Sequence, residues 1–400
     1  MRIPIIPALL ILLINLLVDA YIYNVCRRRL RSTFRTRLQL WSSVALYAVL
    51  AVIAFMPFSG GNQSVVMTTM WLVYSYLSVY LAKYIYVIFD LLAKIPRIFG
   101  AHRWRGLSAT GLVLAIVTFG LMWWGALINR FNIQRVETDV EIAGLPRAFE
   151  GYRIVQFSDL HTGTYGSDTT FVAKLVDEIN ALNPDVILFT GDIVNSTTDE
   201  VIPHTSPLSR LRAKDGVYAI LGNHDYGDYA RWPSEEIKQK SRRKLHDLIR
   251  GMGWRLLLNE TEYLRQGGDS IALIGVENIG DPPFPVYGSL SKAYPHAGDS
   301  VTKILMSHNP AHWTDSISGN PTLNIPLTLS GHTHAMQMEM FGRSPAALRY
   351  RTWGGLYGDG DDRHQLYVNI GAGTVGFPAR IGATPEITVI TLRTKETDTK

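Results

Sequence analysis

Asp159-Leu160-His161, Asp192, Asn223-His224-Asp225, His308 and His332-Thr333-His334 are five short blocks rich in metal-ligating side chains. Most of them follow an apolar run of the kind that forms a buried strand. Carboxylate, imidazole and amide oxygen together suit borderline divalent ions such as Mn, Fe, Zn, Co or Ni. No thiol takes part: the single cysteine, Cys26, lies far away and has no partner for an internal disulfide. Two such ions roughly 3.5–4 Å apart clamp the attacking and leaving oxygens of an in-line displacement at phosphorus. A bridging carboxylate has to hold two cations that close. The chemistry these residues suit is metal-dependent hydrolysis of a phosphate ester.

Open α/β sheets bring such residues together beyond the carboxyl ends of their strands. Tyr152–Phe157 leads into Asp159, Val186–Thr190 into Asp192, and Val217–Leu221 into Asn223. Lys303–Met306 leads into His308, and Leu327–Leu329 into His332. Glycines beside Asp192, Asn223 and His332 allow the tight turns that let ligands from separate strands converge. Val172, Leu175, Val176 and Ile179 give Thr169–Leu182 a helical period, and a polar helix is expected over Ser234–Arg250. Val136–Ala143 reads as an entry strand, and the region after Trp254 is richer in strands, closing with Leu366–Ile370 and Glu386–Leu392. Early βα alternation followed by strand-rich sequence predicts two packed mixed sheets with helices outside.

The five blocks in this order resemble the pattern of the calcineurin-like metallophosphoesterase superfamily: Asp-x-His, Gly-Asp, Gly-Asn-His-Asp/Glu, His, then Gly-His-x-His. The likeness covers roughly residues 150–392 and is nearest to the membrane-associated or exported bacterial branch of YkuE-type and YaeI-type phosphodiesterases. Gly371-Ala372-Gly373, Arg380 and Pro385-Glu386-Ile387 match the ending of that branch. One departure is visible: Ala335 and Met336 stand where the branch often has two glycines. The resemblance implies an α-β-β-α sandwich of four layers. It assigns Asp159, His161 and His334 to one metal, Asn223, His308 and His332 to a second, and Asp192 to both. A hydroxide held between the ions would be the nucleophile. His224 would face the scissile phosphate without ligating, and Asp225 would either orient His224 or serve as a helix N-cap. Arg380 would meet a substrate phosphate or form a structural ion pair. Asp359, Asp361 and Asp362 form an acidic turn that lacks EF-hand spacing and reads as a solvated loop.

Residues 1–130 are of another kind. Ile3–Val25, Leu38–Phe58, Val65–Tyr84 and Leu107–Ile128 are apolar enough, at about 20 residues, to span a bilayer. The first lacks a small-residue cleavage site and runs into an arginine cluster, so it reads as a retained helix rather than a signal peptide. Thirteen Lys or Arg stand here against Asp19 and Asp90, an excess of eleven positive charges. Because the whole chain carries +5, the remainder carries −6. Arg27, Arg28, Arg29, Arg31, Arg35 and Arg37 fill the first loop, none fall in Ser59–Ser64, and Lys94, Arg97, Arg103 and Arg105 fill the third. The positive-inside rule then places loops one and three in the cytoplasm and everything after residue 130 outside, with Trp123 and Trp124 in the outer interfacial belt. Asp19, Lys83 and Asp90 read as interfacial anchors, and no intramembrane charge pairing is evident from sequence.

The expected organisation is a membrane region over 1–130, a juxtamembrane linker and entry strand over 131–149, a catalytic domain over 150–392 and a polar tail over 393–400. The partners implied are the lipid bilayer and a phosphorylated lipid or cell-envelope substrate. Trp254, Tyr263, Phe284, Pro285 and Tyr287 are candidates for an apolar rim. A nuclease of the same superfamily is disfavoured by the acidic soluble part, which makes nucleic acid an unexpected partner. A non-catalytic sensor or scaffold is disfavoured by the complete ligand set.

Overall fold

The computed structural model describes residues 5–56, 63–281, 285–295, 301–360 and 363–395. Phe284, Asp361, Asp362, most of the second membrane loop and the last five residues of the tail lie outside the described residues. The chain divides into two compact units, one drawn mainly from residues up to Ala126 and the other running on from Leu127.

The first unit holds α1 (Ile5–Asn24), α2 (Thr33–Phe55), α3 (Gln63–Leu92) and α4 (Arg105–Leu127). All four are long and apolar enough to cross a membrane. Two of them exceed the expected spans. Ser32 caps α2 early, its Oγ accepting the Arg35 N–H at 3.2 Å, and α3 continues to Leu92. Charge does not end α3 because its charges are paired. Lys83 Nζ lies 2.7 Å from Asp19 Oδ1. The same carboxylate accepts from Tyr47 and Tyr80, each at 2.8 Å, and from Gln39 at 3.1 Å. Asp90, with no exposed side-chain surface, meets Arg29 at 3.0 Å and also Arg103. Each of these three charges therefore has an opposite charge to meet. They join helices through ion pairs whose carboxylates are buried, which sequence spacing could not show because the partners lie on different elements.

The second unit contains two six-stranded mixed sheets among the described residues. The first runs β1 (Gln134–Ile142), β12 (Glu386–Thr394), β2 (Arg153–Phe157), β3 (Val186–Phe189), β4 (Val217–Ala219), β5 (Arg255–Leu256). The second runs β10 (Gly355–Gly358), β11 (Gln365–Val368), β9 (Leu327–Ser330), β8 (Lys303–Met306), β7 (Asp269–Gly275), β6 (Glu260–Gln266). Strands β2 to β5 are mutually parallel, as are β7, β8, β9 and β11. Their carboxyl ends therefore gather the ligand blocks. β10 was not expected: its Gly-Leu-Tyr-Gly sequence has little strand signal, and pairing with β11 supplies the order.

Alternation along the strands builds the layers. Ile154, Val186, Leu188 and Tyr218 of the first sheet pack against Leu273, Ile304, Met306 and Leu329 of the second. Val155, Phe157, Ile187 and Phe189 face the other way, onto α5 (Thr170–Ala181) and α7 (Glu235–Gly251). The short α6 (Thr205–Leu208) lies between these helices in sequence. On the far side, Ile274, Leu305 and Val368 pack on Trp313 and Ile317. This is a four-layer α-β-β-α sandwich. Trp254 belongs to its core at 3% exposure, edge-on to Phe157, so it is not part of an apolar rim.

Candidate metal centre

Each block begins a few residues past its strand, and the backbone there is unusual. Asp159, His161, Asp192, His332 and His334 all have left-handed φ, between +47° and +75°. Non-glycine residues visit this region rarely, and strain of this kind clusters at functional sites. Gly331 makes one of these turns possible by close approach: a Cβ there would overlap the Ser158 hydroxyl and the Asp159 carboxylate.

Two groups of side chains result. Ligand atoms of Asp159, His161 and His334 lie within 4.8 Å of one another, as do those of Asp192, His308 and His332. Asp192 touches both groups, its Oδ2 standing 3.2 Å from His308 Nε2 and 3.7 Å from His161 Nε2. Asn223 Oδ1 lies 3.1 Å from His308 Nε2 and 2.8 Å from His332 Nδ1, which brings it into the second group. His161 and His334 turn Nε2 atoms toward each other at 3.0 Å.

Proton positions follow from partners that can only accept. His308 Nδ1 donates to the Thr190 carbonyl at 2.7 Å, so Nε2 is the nitrogen turned to the site. His224 Nδ1 donates to the Asn195 carbonyl at 2.6 Å, leaving its Nε2 available. Burial opposes ionisation of Asp159 and Asp192, but His334 and His308 respectively outweigh it, and both carboxyls stay below their usual range. Burial pulls His308 down, yet Asp192 prevails and raises it to about 9. Burial, with His308 beside it, drives His332 to about 3. Among the described residues no Lys or Arg pairs with Asp159 or Asp192. Two buried carboxylates balanced only by imidazoles suit divalent cations.

Residues 152–336 match the family described as calcineurin-like phosphoesterase, and residues 1–130 match one described as the transmembrane domain of a probable calcineurin-like phosphoesterase. The uncharacterized metallophosphoesterase YkuE of Bacillus subtilis is 30% identical over 296 residues, covering 72% of this chain and 94% of that protein. The chain belongs to the calcineurin-like phosphoesterase family. A transmembrane protein with metallophosphoesterase domain from Danio rerio is 29% identical over 70% of this chain, and the match spans 62% of its length. The UDP-2,3-diacylglucosamine pyrophosphatase LpxG of Chlamydia trachomatis is 27% identical, over 57% of this chain and 81% of that one. With four helices long and apolar enough to cross a membrane, a match to the family's transmembrane domain and this catalytic domain, the protein is a membrane-associated metallophosphoesterase.

Two expectations drawn from the family pattern need correction. The Asp225 carboxylate does not reach His224. It accepts backbone N–H bonds from Asp192, Ile193, Val194 and Gly222 at 2.8–3.2 Å, clamping the Asp192 loop to the Asn223 loop. Burial and the neighbouring Asp192 raise its pKa to about 7. Arg380 is fully buried and cannot meet a substrate. Its guanidinium donates to the carbonyls of Gly373, Ala383 and Ile370 and lies 3.2 Å from His334 Nδ1. Asp359 behaves as a turn residue, bonded to His364 Nδ1 at 2.6 Å.

Three residues at the site were not foreseen. The Asn195 carbonyl holds His224. Tyr229 stacks on the His224 ring at 4.1 Å between centroids and accepts from Asn223 Nδ2 at 2.8 Å. Tyr350 Oη lies 2.9 Å from His332 Nε2. None carries a motif signal, because a backbone carbonyl and two tyrosines are recognised only by what they touch.

Proposed function

We propose that this chain is a membrane-tethered phosphohydrolase, a phosphodiesterase or phosphatase, working with two divalent ions on a lipid or cell-envelope phosphate. The observation that supports it best is the position of Asp192 between two compact ligand groups, with no Lys or Arg paired to it among the described residues. Asp159, His161 and His334 would hold one ion, Asn223, His308 and His332 the other, and Asp192 both. When bound, such a pair supplies Lewis acidity at phosphoryl oxygens and an activated water. The chain's own contribution is a preorganised, nearly dry set of ligands and a histidine with one free nitrogen. His224, anchored through Nδ1, presents Nε2 to a leaving oxygen as proton donor or charge stabiliser.

The tether favours a substrate that stays in the envelope. α4 ends at Leu127 and β1 begins at Gln134, so little chain separates membrane from catalytic unit. Similarity to a UDP-2,3-diacylglucosamine pyrophosphatase favours a phosphate joined to an acylated group. The loop charges favour a catalytic unit outside the cytoplasm. Protease added to intact spheroplasts should then cut it, and protection would reverse the orientation.

Hydrolysis of a chromogenic bis-phosphodiester tests the chemistry. Wild-type protein should be active and bind about two metals per chain by elemental analysis. Asp192→Asn should lose both activity and metal. Full activity in that variant, or after chelation, sinks the reading.

A further inference from the structure

We infer that the membrane unit carries a second, non-catalytic site, built for the phosphate headgroup of an anionic lipid. A cleft of about 1020 Å³ opens where the connection after α1 meets the one between α3 and α4. Six cationic side chains line it: Arg28, Arg29, Lys94, Arg97, Arg103 and Arg105. Asp90 is the lone carboxylate among the lining residues, and it is already taken. It bonds Arg29 at 3.0 Å, lies 3.7 Å from Lys94, and accepts from Arg103, Tyr21 and Ser108. Among the described residues no carboxylate pairs with Arg28, Arg97 or Arg105. The Arg103 side chain is 9% exposed, yet its Nε has no hydrogen-bond partner. A buried guanidinium N–H with no acceptor, in a cleft with surplus positive charge, calls for an anion with several acceptor oxygens.

The surroundings select a lipid over a free anion. Leu30 lines the cleft at 45% exposure, and Ile98, Phe99 and Trp104 interrupt the basic run at 79%, 82% and 62%. Large apolar side chains left uncovered beside cations suit acyl chains and interfacial packing around a headgroup. A site for soluble phosphate has no use for them.

The full-length protein, reconstituted with phosphatidylcholine alone or with added phosphatidylglycerol, provides the test. Native mass spectrometry counts the lipids that survive transfer to detergent. Wild-type protein should retain phosphatidylglycerol in preference to phosphatidylcholine. Each basic group near an anionic surface contributes roughly fivefold, so Arg97→Gln with Arg105→Gln should cut retention about 30-fold. Among the described residues neither arginine is ion-paired, so hydrolysis of the chromogenic diester in detergent should be unchanged, and an unchanged thermal melt and elution volume in detergent report that the membrane unit of the variant has folded. If it does not fold, Arg28→Gln carries the same expectation at about fivefold. Equal retention by wild type and variant overturns the inference. So does inorganic phosphate binding as tightly as phosphatidylglycerol, which would make this a free-anion site.

Discussion

His308 starts with a proton that an ion has to displace. Its pKa of about 9 lies above the ordinary 6.5 because Asp192 faces its Nε2. Metal ligation needs the neutral ring, so ion affinity should rise with pH up to about 9 and binding should release a proton. In the ion-free protein the sign is opposite. The ion pair stabilises fully below about pH 6.5 and is lost as pH rises through about 9. Calorimetric titration in buffers of different ionisation enthalpy checks the first expectation, and thermal melts of chelated protein check the second. pH-independent ion affinity would show that His308 does not ligate. At the same scale, His224→Gln should cost about 10²–10⁴ in rate while leaving bound metal intact. Arg380 tests a different property. Arg380→Met orphans buried carbonyls at about 1–3 kcal/mol each, so it should lower the melting temperature strongly. KM at low temperature should stay the same, whereas a substrate contact would raise it.

Among elements, the turn after His334 departs from the family pattern. Ala335 and Met336, which stand where the resemblance leads one to expect two glycines, keep left-handed φ of +51° and +47°, and Gln337 follows at +56°. A left-handed residue with a side chain costs roughly 1–2 kcal/mol, and glycine gives back about 0.5–1 in chain entropy. Met336 is 42% exposed and has little packing to lose. Met336→Gly should therefore stabilise by about 0.5–1 kcal/mol, read from denaturant midpoints. Ala335→Gly should gain less, because its methyl packs on Ile370 and Ala383. The sequence made the strand-end blocks legible because ligand type, neighbouring glycine and preceding apolar run are all local. Asn195, Tyr229 and Tyr350 were hidden because each works through tertiary contact alone. Asp225 was misread for the same reason: its four N–H partners lie across two loops.

Across the whole molecule, the same limit explains the membrane unit. Helix positions could be read from hydropathy, but charge pairing could not, since Asp19 and Lys83 are far apart in sequence. Removing one partner of a buried pair costs about 3–5 kcal/mol in soluble proteins, more than removing both. Lys83→Met should melt below wild type in detergent, and Lys83→Met with Asp19→Asn should recover part of the loss. A double variant no better than the single would mean the pair is not coupled.

The carboxylate of Asp19 on α1 takes its partners from α2 and α3. A nascent chain whose first helix entered the bilayer alone would carry that carboxylate into lipid with no donor to meet it. At mid-bilayer an unpartnered carboxylate costs roughly 2.5–3.5 kcal/mol on insertion scales, and that cost is lifted only when α2 and α3 arrive with their donors.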